Sequence, residues 1–191
     1  MKNAKQLKKI ALIGAAGTGK TTVFDRLFAL PKIQEQFSAI PELARIVCKE
    51  KGYKSPYEIE GDINEFRFDV LRRQIKEENS KVSFIADRST IDAWAYFMRW
   101  SWNTCTVEMT EEFYQAAYDQ AQKYDLLIYF PISFPVVDDG FRWDNEIYQK
   151  QVDRLLLSLV KDWCLENKFY TVQSTDIEER ILELQKIILE E

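Results

Sequence analysis

The stretch Gly14-Ala15-Ala16-Gly17-Thr18-Gly19-Lys20-Thr21 meets every fixed position of the pattern GxxxxGK[ST]. Its surroundings fit as well. Residues 10–13 are an apolar run with the look of a fully buried strand starting near Lys8. A helical stretch over 19–29 follows and stops before Pro31. Glycines let the backbone curl until successive N–H groups point inward, and the helix N-terminus adds partial positive charge. The result is a phosphate cradle. The expected nucleotide contacts are Gly14, Ala15, Ala16, Gly17, Thr18, Gly19, Lys20, Thr21 and Thr22. Lys20 is placed to reach the β- and γ-phosphates and the Thr21 hydroxyl to ligate Mg²⁺. The expected cofactors are therefore ATP or GTP with Mg²⁺.

Outward from this loop, strands are predicted over 37–40, 82–86, 124–130 and 169–172. Helices are predicted from Pro41 onward through Leu43, Ala44, Ile46 and Val47, over 62–79, after 87–89, and over 145–166 and 177–189. Residues 51–61 and 131–140 read as irregular. Strands alternating with helices predict an α/β fold with a parallel sheet covered on both faces. No repeat or linker divides the chain, so 1–191 is expected to be one domain, with a lid near 133–147.

Composition narrows the chemistry. Histidine is absent, which excludes His-dependent triads, His general bases and His-ligated metals. The net charge of −5 is unsuited to a duplex phosphate backbone, so nucleic acid is an unexpected partner and an anionic ligand needs a local cluster of donors. No run of 18 apolar residues predicts a membrane span. The opening MKNAKQLKKIALIGAAG resembles a signal peptide, but its apolar run is short and leads into the phosphate loop. Cys48, Cys105 and Cys164 form no CxxC pair and are expected as reduced thiols in or near the core of a cytoplasmic protein.

Three further segments carry candidate chemistry. The third strand runs into Asp87-Arg88-Ser89, where water-activating ATPases usually carry acids together. Nor does an NKxD base-reading motif follow a late strand, since Asn167-Lys168-Phe169-Tyr170 lacks the aspartate. Both point to phosphoryl transfer between small molecules. Asp87-Arg88-Ser89 resembles the acid–Arg–Ser segment of nucleoside and nucleoside monophosphate kinases. Asp87 is a candidate for holding Mg²⁺ or orienting the acceptor, and Arg88 for clamping a phosphoryl oxygen; the alternative is an N-cap with an ion pair. Glu42 follows the second strand and shares a helix face with Arg45. Glu42 suits a hydroxyl proton or a ribose, and Arg45 a substrate phosphate. In the lid, Arg142 is the candidate that swings onto transferring phosphates, with Arg154 a weaker one; alternatively Arg142 pairs with Asp138, Asp139 or Asp144. Ile91, Trp94, Ala95, Met98 and Trp102 form one apolar stripe, read mainly as core, and Asp92 is its polar exception and a candidate to face the acceptor. Ser174-Thr175-Asp176 reads as a base-bordering loop or a helix cap.

Taken in order, GAAGTGKTT, PELAR, DRSTIDAWAY and YDLLIYFPISFPVVDDGFRWDN resemble the NadR-type AAA-domain family of small P-loop proteins, which includes nicotinamide riboside kinase domains. The resemblance covers about residues 8–190. It implies a five-stranded parallel sheet in the order 2-3-1-4-5, ATP or GTP with Mg²⁺, and phosphoryl transfer. Glu42, Asp87, Arg88, Asp139 and Arg142 occupy matching motif positions. No motif identifies a nicotinamide ring, and 191 residues leave no room for NadR's adenylyltransferase domain.

The expected function is Mg²⁺-dependent phosphoryl transfer from ATP to a small nucleoside-like acceptor. Lys20, Asp87, Arg88, Arg142 and Glu42 are the catalytic candidates. Glu42, Arg45, Asp92 and Asp139 are the acceptor contacts, and Thr21 and Asp87 hold the metal. The rivals are a nucleoside monophosphate kinase, in which Arg45 meets the acceptor phosphate, and a non-enzymatic NTP-binding regulatory module.

Overall fold

The computed structural model describes residues 8–59, 62–101, 103–135, 140–141 and 145–189. Five strands, β1 (Lys9–Ile13), β2 (Ser38–Ile40), β3 (Phe84–Asp87), β4 (Leu126–Tyr129) and β5 (Phe169–Thr171), form one parallel sheet in the order β2-β3-β1-β4-β5. The expected P-loop NTPase fold and strand order are therefore present. Eight helices are described: α1 (Lys20–Phe28), α2 (Pro31–Gln34), α3 (Leu43–Glu50), α4 (Ile63–Asn79), α5 (Thr90–Trp100), α6 (Val107–Ala121), α7 (Glu146–Asp162) and α8 (Ile177–Leu189). No described helix is long and apolar enough to cross a membrane.

The inner strands β1, β3 and β4 are buried on both faces and so read as continuous apolar runs, while the edge strands β2 and β5 are more exposed. Side chains alternate between the two faces with a period of two. Ile10 and Leu12 of β1 enter one core with Ile85, Ile128 and residues of α1, α2 and α8. Ala11 and Ile13 enter the other, with Phe84, Ala86, Leu127 and residues of α4, α5, α6 and α7. Helices thus cover both faces. A third, smaller cluster joins Val47 and Cys48 of α3 to Phe66 of α4.

Several local expectations are corrected. Pro41 precedes α3, which starts at Leu43 with Glu42 in extended conformation at the N-cap. Pro31 stops α1 but itself opens α2, since a proline at the first helical position sacrifices no intrahelical bond. Helix α6 is absent from the predicted elements. Its buried residues Phe113, Ala117 and Ala121 are mostly small, and so make a weak apolar stripe between α5 and β4. Phe97, which is not part of the predicted apolar stripe of α5, is fully buried and stacks on Phe113 with ring centres 4.2 Å apart. Of the three free thiols Cys48 is buried and Cys105 partly so, but Cys164 is exposed, at a left-handed φ of 56° just beyond α7.

Candidate active site

The phosphate loop leaves β1 at Gly14. Its φ of 144° is one that side chains rarely adopt, and a Cβ there would sit 2.7 Å from the Phe130 carbonyl oxygen. Gly19 ends the loop at φ 89° as the N-cap of α1. Its missing side chain leaves room for Arg180, whose Nη1 would lie 3.1 Å from a Cβ. Lys20 is 3% exposed, and its Nζ donates to the Ala15 carbonyl (2.6 Å) and Thr18 Oγ1 (3.0 Å). The lysine thus lies across the loop that it is expected to serve. Burial, and after it the Arg88 charge, pulls the Lys20 ammonium down to about 7; phosphate oxygens beside it would favour the charged form. Thr22 is exposed on the first turn of α1, so its backbone rather than its side chain belongs to the cradle.

Thr21 and Asp87, the expected metal pair, meet. Thr21 Oγ1 donates to Asp87 Oδ2 at 2.6 Å. Asp87 is 1% exposed, and its Oδ1 is buried without a hydrogen-bond partner among the described residues. Burial pushes its carboxyl upward, as does the neighbouring Glu42. An orphaned acid oxygen beside a threonine hydroxyl at a phosphate loop is a donor set that fits Mg²⁺, which keeps most of its coordination as water and phosphate oxygen. Among the described residues no cluster of three or more His, Cys, Asp or Glu side chains offers a different metal centre.

Arg88 joins the loop to the acids. Nη1 donates to the Gly14 carbonyl (2.8 Å) and to Asp92 Oδ1 (3.2 Å), and Nε to Glu42 Oε1 (3.2 Å). Its backbone stands at φ 101°, a left-handed value costly for any residue with a Cβ, held by its N–H on the Leu12 carbonyl (3.2 Å). Such strain persists where the surroundings over-determine it. Gln74 Nε2 also reaches the Arg88 carbonyl (3.4 Å), and Tyr124 OH accepts from the next-but-one amide, that of Thr90 (3.0 Å). Both Gln74 (2.6 Å) and Tyr124 (2.7 Å) donate to Glu78, as does Gln120 (2.8 Å), so a fully buried carboxylate anchors the turn from beneath.

Glu42 also accepts from Arg45 Nε at 2.9 Å, and the Arg45 guanidinium lies 4.1 Å from the centre of the Phe141 ring. Asp92 closes a capping box with Ser89, accepting from the Ser89 hydroxyl (2.7 Å) and amide (3.1 Å). Its first duties are therefore the α5 cap and the Arg88 pair, though it also borders the cleft described next.

That cleft spans about 730 Å³, counted together with the solvent at its mouth. Ala16 of the loop, Glu42, Arg88, Asp92, Tyr96 and Arg67 are among its walls, with Tyr57 and Phe141. Tyr96 is thus the ring of α5 that faces the cleft, while Trp94 and Phe97 are core. Phe141 brings one described residue of the expected lid to the cleft. Gly140 before it turns at φ 74°. Asp138, Asp139, Arg142, Asp144 and Trp102 lie outside the described residues, and Arg154 is exposed on α7.

Two buried arginines are missing from the predicted site. Arg180 of α8 donates to the Thr18 carbonyl (2.9 Å), the Ser174 carbonyl (2.7 Å) and Ser133 Oγ (3.2 Å), between the Phe130 and Phe134 rings. Arg67 of α4 lines the cleft. Asp176 proves a helix cap, accepting from the amides of Glu178 and Glu179. Gln149 of α7 donates to the Ala16 carbonyl at 2.7 Å, a further unpredicted support of the loop.

A family model described as an AAA domain matches residues 9–180. No curated protein matches the sequence. Among solved structures, the NadR protein in complex with NR superposes with a TM-score of 0.67 at 20% identity, over 88% of this chain and 46% of that one. The chain thus spans about half the length of that NadR protein. Deoxyadenosine kinase from M. mycoides, with dCMP and a flexible dCDP bound, gives a TM-score of 0.66 at 16% identity, over 95% of this chain and 98% of that one. Shikimate kinase from Acinetobacter baumannii, in complex with shikimate, gives 0.52 at 16% identity, over 97% and 95%. At these identities the likeness is one of fold.

Proposed function

The chain belongs to this AAA-domain family, and from that premise we propose that it transfers the γ-phosphoryl group of Mg²⁺-ATP to a small nucleoside-like acceptor. One observation carries the reading: the phosphate loop and an acid-lined cleft share a wall, at Ala16 and Arg88. Similar structures are kinases of small molecules, which supports the same reaction class.

Phosphoryl transfer asks mainly for positioning and charge neutralisation. Loop amides and the α1 N-terminus receive the phosphates. Lys20 exchanges the Ala15 carbonyl for phosphate oxygen. Thr21 and Asp87 would hold Mg²⁺, which supplies positive charge to the phosphate oxygens. Glu42 lines the cleft, whereas Asp87 is turned to Thr21, so Glu42 is the acid that an acceptor hydroxyl meets. Arg88 orients Glu42 through its bond to Oε1. Its Nη2, which makes no hydrogen bond among the described residues, is left for a phosphoryl oxygen.

The test is a screen of nucleosides, nicotinamide riboside and nucleoside monophosphates with labelled ATP and Mg²⁺. Acceptor-dependent label transfer is expected. Tight ATP binding with no product from any acceptor would instead make the protein an NTP-binding module.

A further inference from the structure

One buried cation of the cleft has no part in the proposed transfer. Arg67 is 8% exposed, and its Nε is buried without a hydrogen-bond partner among the described residues. Its guanidinium carbon lies 5.4 Å from the centre of the Phe66 ring and 5.8 Å from that of Tyr96. Among the described residues no carboxylate pairs with it, and the ionisable groups that bear on it most are the phenols of Tyr148, Tyr57 and Tyr96 and the Cys48 thiol. Arg88, the other arginine lining the cleft, and its neighbour Arg45 differ. Arg88 is bonded to Glu42 and Asp92, and Arg45 to Glu42. Burying a charge without a counter-ion is costly, and aromatic faces recover only part of that cost. A ligand anion would recover the rest.

We propose that Arg67 is a specificity-determining residue that binds an anionic oxygen group, a carboxylate or a phosphate, carried by the acceptor. A guanidinium presents parallel N–H groups that match the two oxygens of such a group. A neutral amide offers one acceptor oxygen and leaves the charge unmatched. Tyr57 and Tyr96 line the same cleft and give flat walls for a ring bearing the anion. The inference rests on the kinase reading of this cleft and narrows it, from any nucleoside-like acceptor to an acidic one.

The full-length chain is tested with two acceptor pairs that differ in charge: nicotinic acid riboside against nicotinamide riboside, and AMP against adenosine. Binding is read by calorimetry with a non-hydrolysable ATP analogue and Mg²⁺, alongside turnover. A charge preference in binding without label transfer would then refute the kinase reading alone. The wild type should favour the anionic member of at least one pair by about tenfold or more, and the pair concerned tells carboxylate from phosphate. Arg67→Gln should erase that margin through acceptor Kd and KM. Its kcat at saturation and its affinity for the ATP analogue should stay within about threefold. Arg67→Lys, which keeps the charge but loses the planar fork, should retain part of the margin. It carries the test if Arg67→Gln does not fold. Preference for the neutral member in both pairs, equal loss for both members in the variants, or no binding of any of the four by folded wild type would overturn the proposal.

Discussion

The phosphate loop is one contiguous stretch, residues 14–22, pinned from outside at three carbonyls by Arg88, Gln149 and Arg180, whereas the cleft beside it draws walls from α3, α4, α5, the turn at Pro56–Glu58 and Phe141. In the loop, Lys20 rests on the carbonyl and hydroxyl of its own neighbours. In the cleft, charges meet across the fold: Arg88 reaches Glu42, 46 residues away in sequence. Backbone curvature shapes the first, side-chain charge the second. Substitutions in the loop should therefore divide cleanly into those that remove chemistry and those that break the backbone. Substitutions in the cleft should do both at once.

Lys20→Ala gives the largest expected effect. Turnover should fall by about a thousandfold or more. The melting temperature should hardly move, because removing a buried ammonium also removes its burial cost. Steady-state kinetics beside calorimetry decide it, and near-normal activity would end the phosphate-loop assignment.

Arg88 sharpens the contrast, since it belongs to both regions. Arg88→Gly and Arg88→Ala should each lose about a hundredfold in kcat/KM. Yet the glycine variant should be the more stable of the two by about 1 kcal/mol, as glycine adopts φ 101° without strain. Equal stability in urea titrations would show that the strain is not felt.

Gly14→Ala acts on the backbone alone. A Cβ 2.7 Å from the Phe130 carbonyl, at φ 144°, should cost about 2 kcal/mol and weaken ATP binding in proportion to the displaced loop.

The smallest effect lies beneath the cleft. Burial holds the Glu78 carboxyl above its ordinary range. The stability linked to it is therefore complete below the unfolded value and is lost as pH rises through the folded one. On acidification from about pH 7 to about pH 5 the wild type should gain stability through this group. Denaturation midpoints of Glu78→Gln, compared with wild type at both pH values, should lack that gain.

The same contrast governs what was legible in the sequence. The loop, the Asp87-Arg88 turn and the Glu42–Arg45 spacing are written in contiguous or helically spaced residues, so their neighbours in space are neighbours in the chain. The inner strands are buried on both faces, and their apolar runs place β1, β3 and β4 within a few residues of their structural bounds. Arg67 and Arg180 are different. Asn64, Arg67, Leu71, Gln74 and Glu78 recur at helical spacing along α4, and every one is buried. A mostly polar stripe of this kind reads as a solvated face until the cleft and the Glu78 network supply partners. Arg180 looks like one more charge in a closing amphipathic helix. Only the bare Gly19 opposite gives it a seat, and nothing local links the two.

That seat has a consequence for the chain as it is made. The bond from Arg180 to the Thr18 carbonyl spans 162 residues. At a ribosomal pace of about 5–20 residues per second, the loop emerges roughly 8–32 s before the guanidinium that pins it. Throughout that interval a nascent chain carries the whole GxxxxGK[ST] motif but not the finished cradle. Whatever this bond adds to nucleotide affinity is therefore gained only once the last helix has been made.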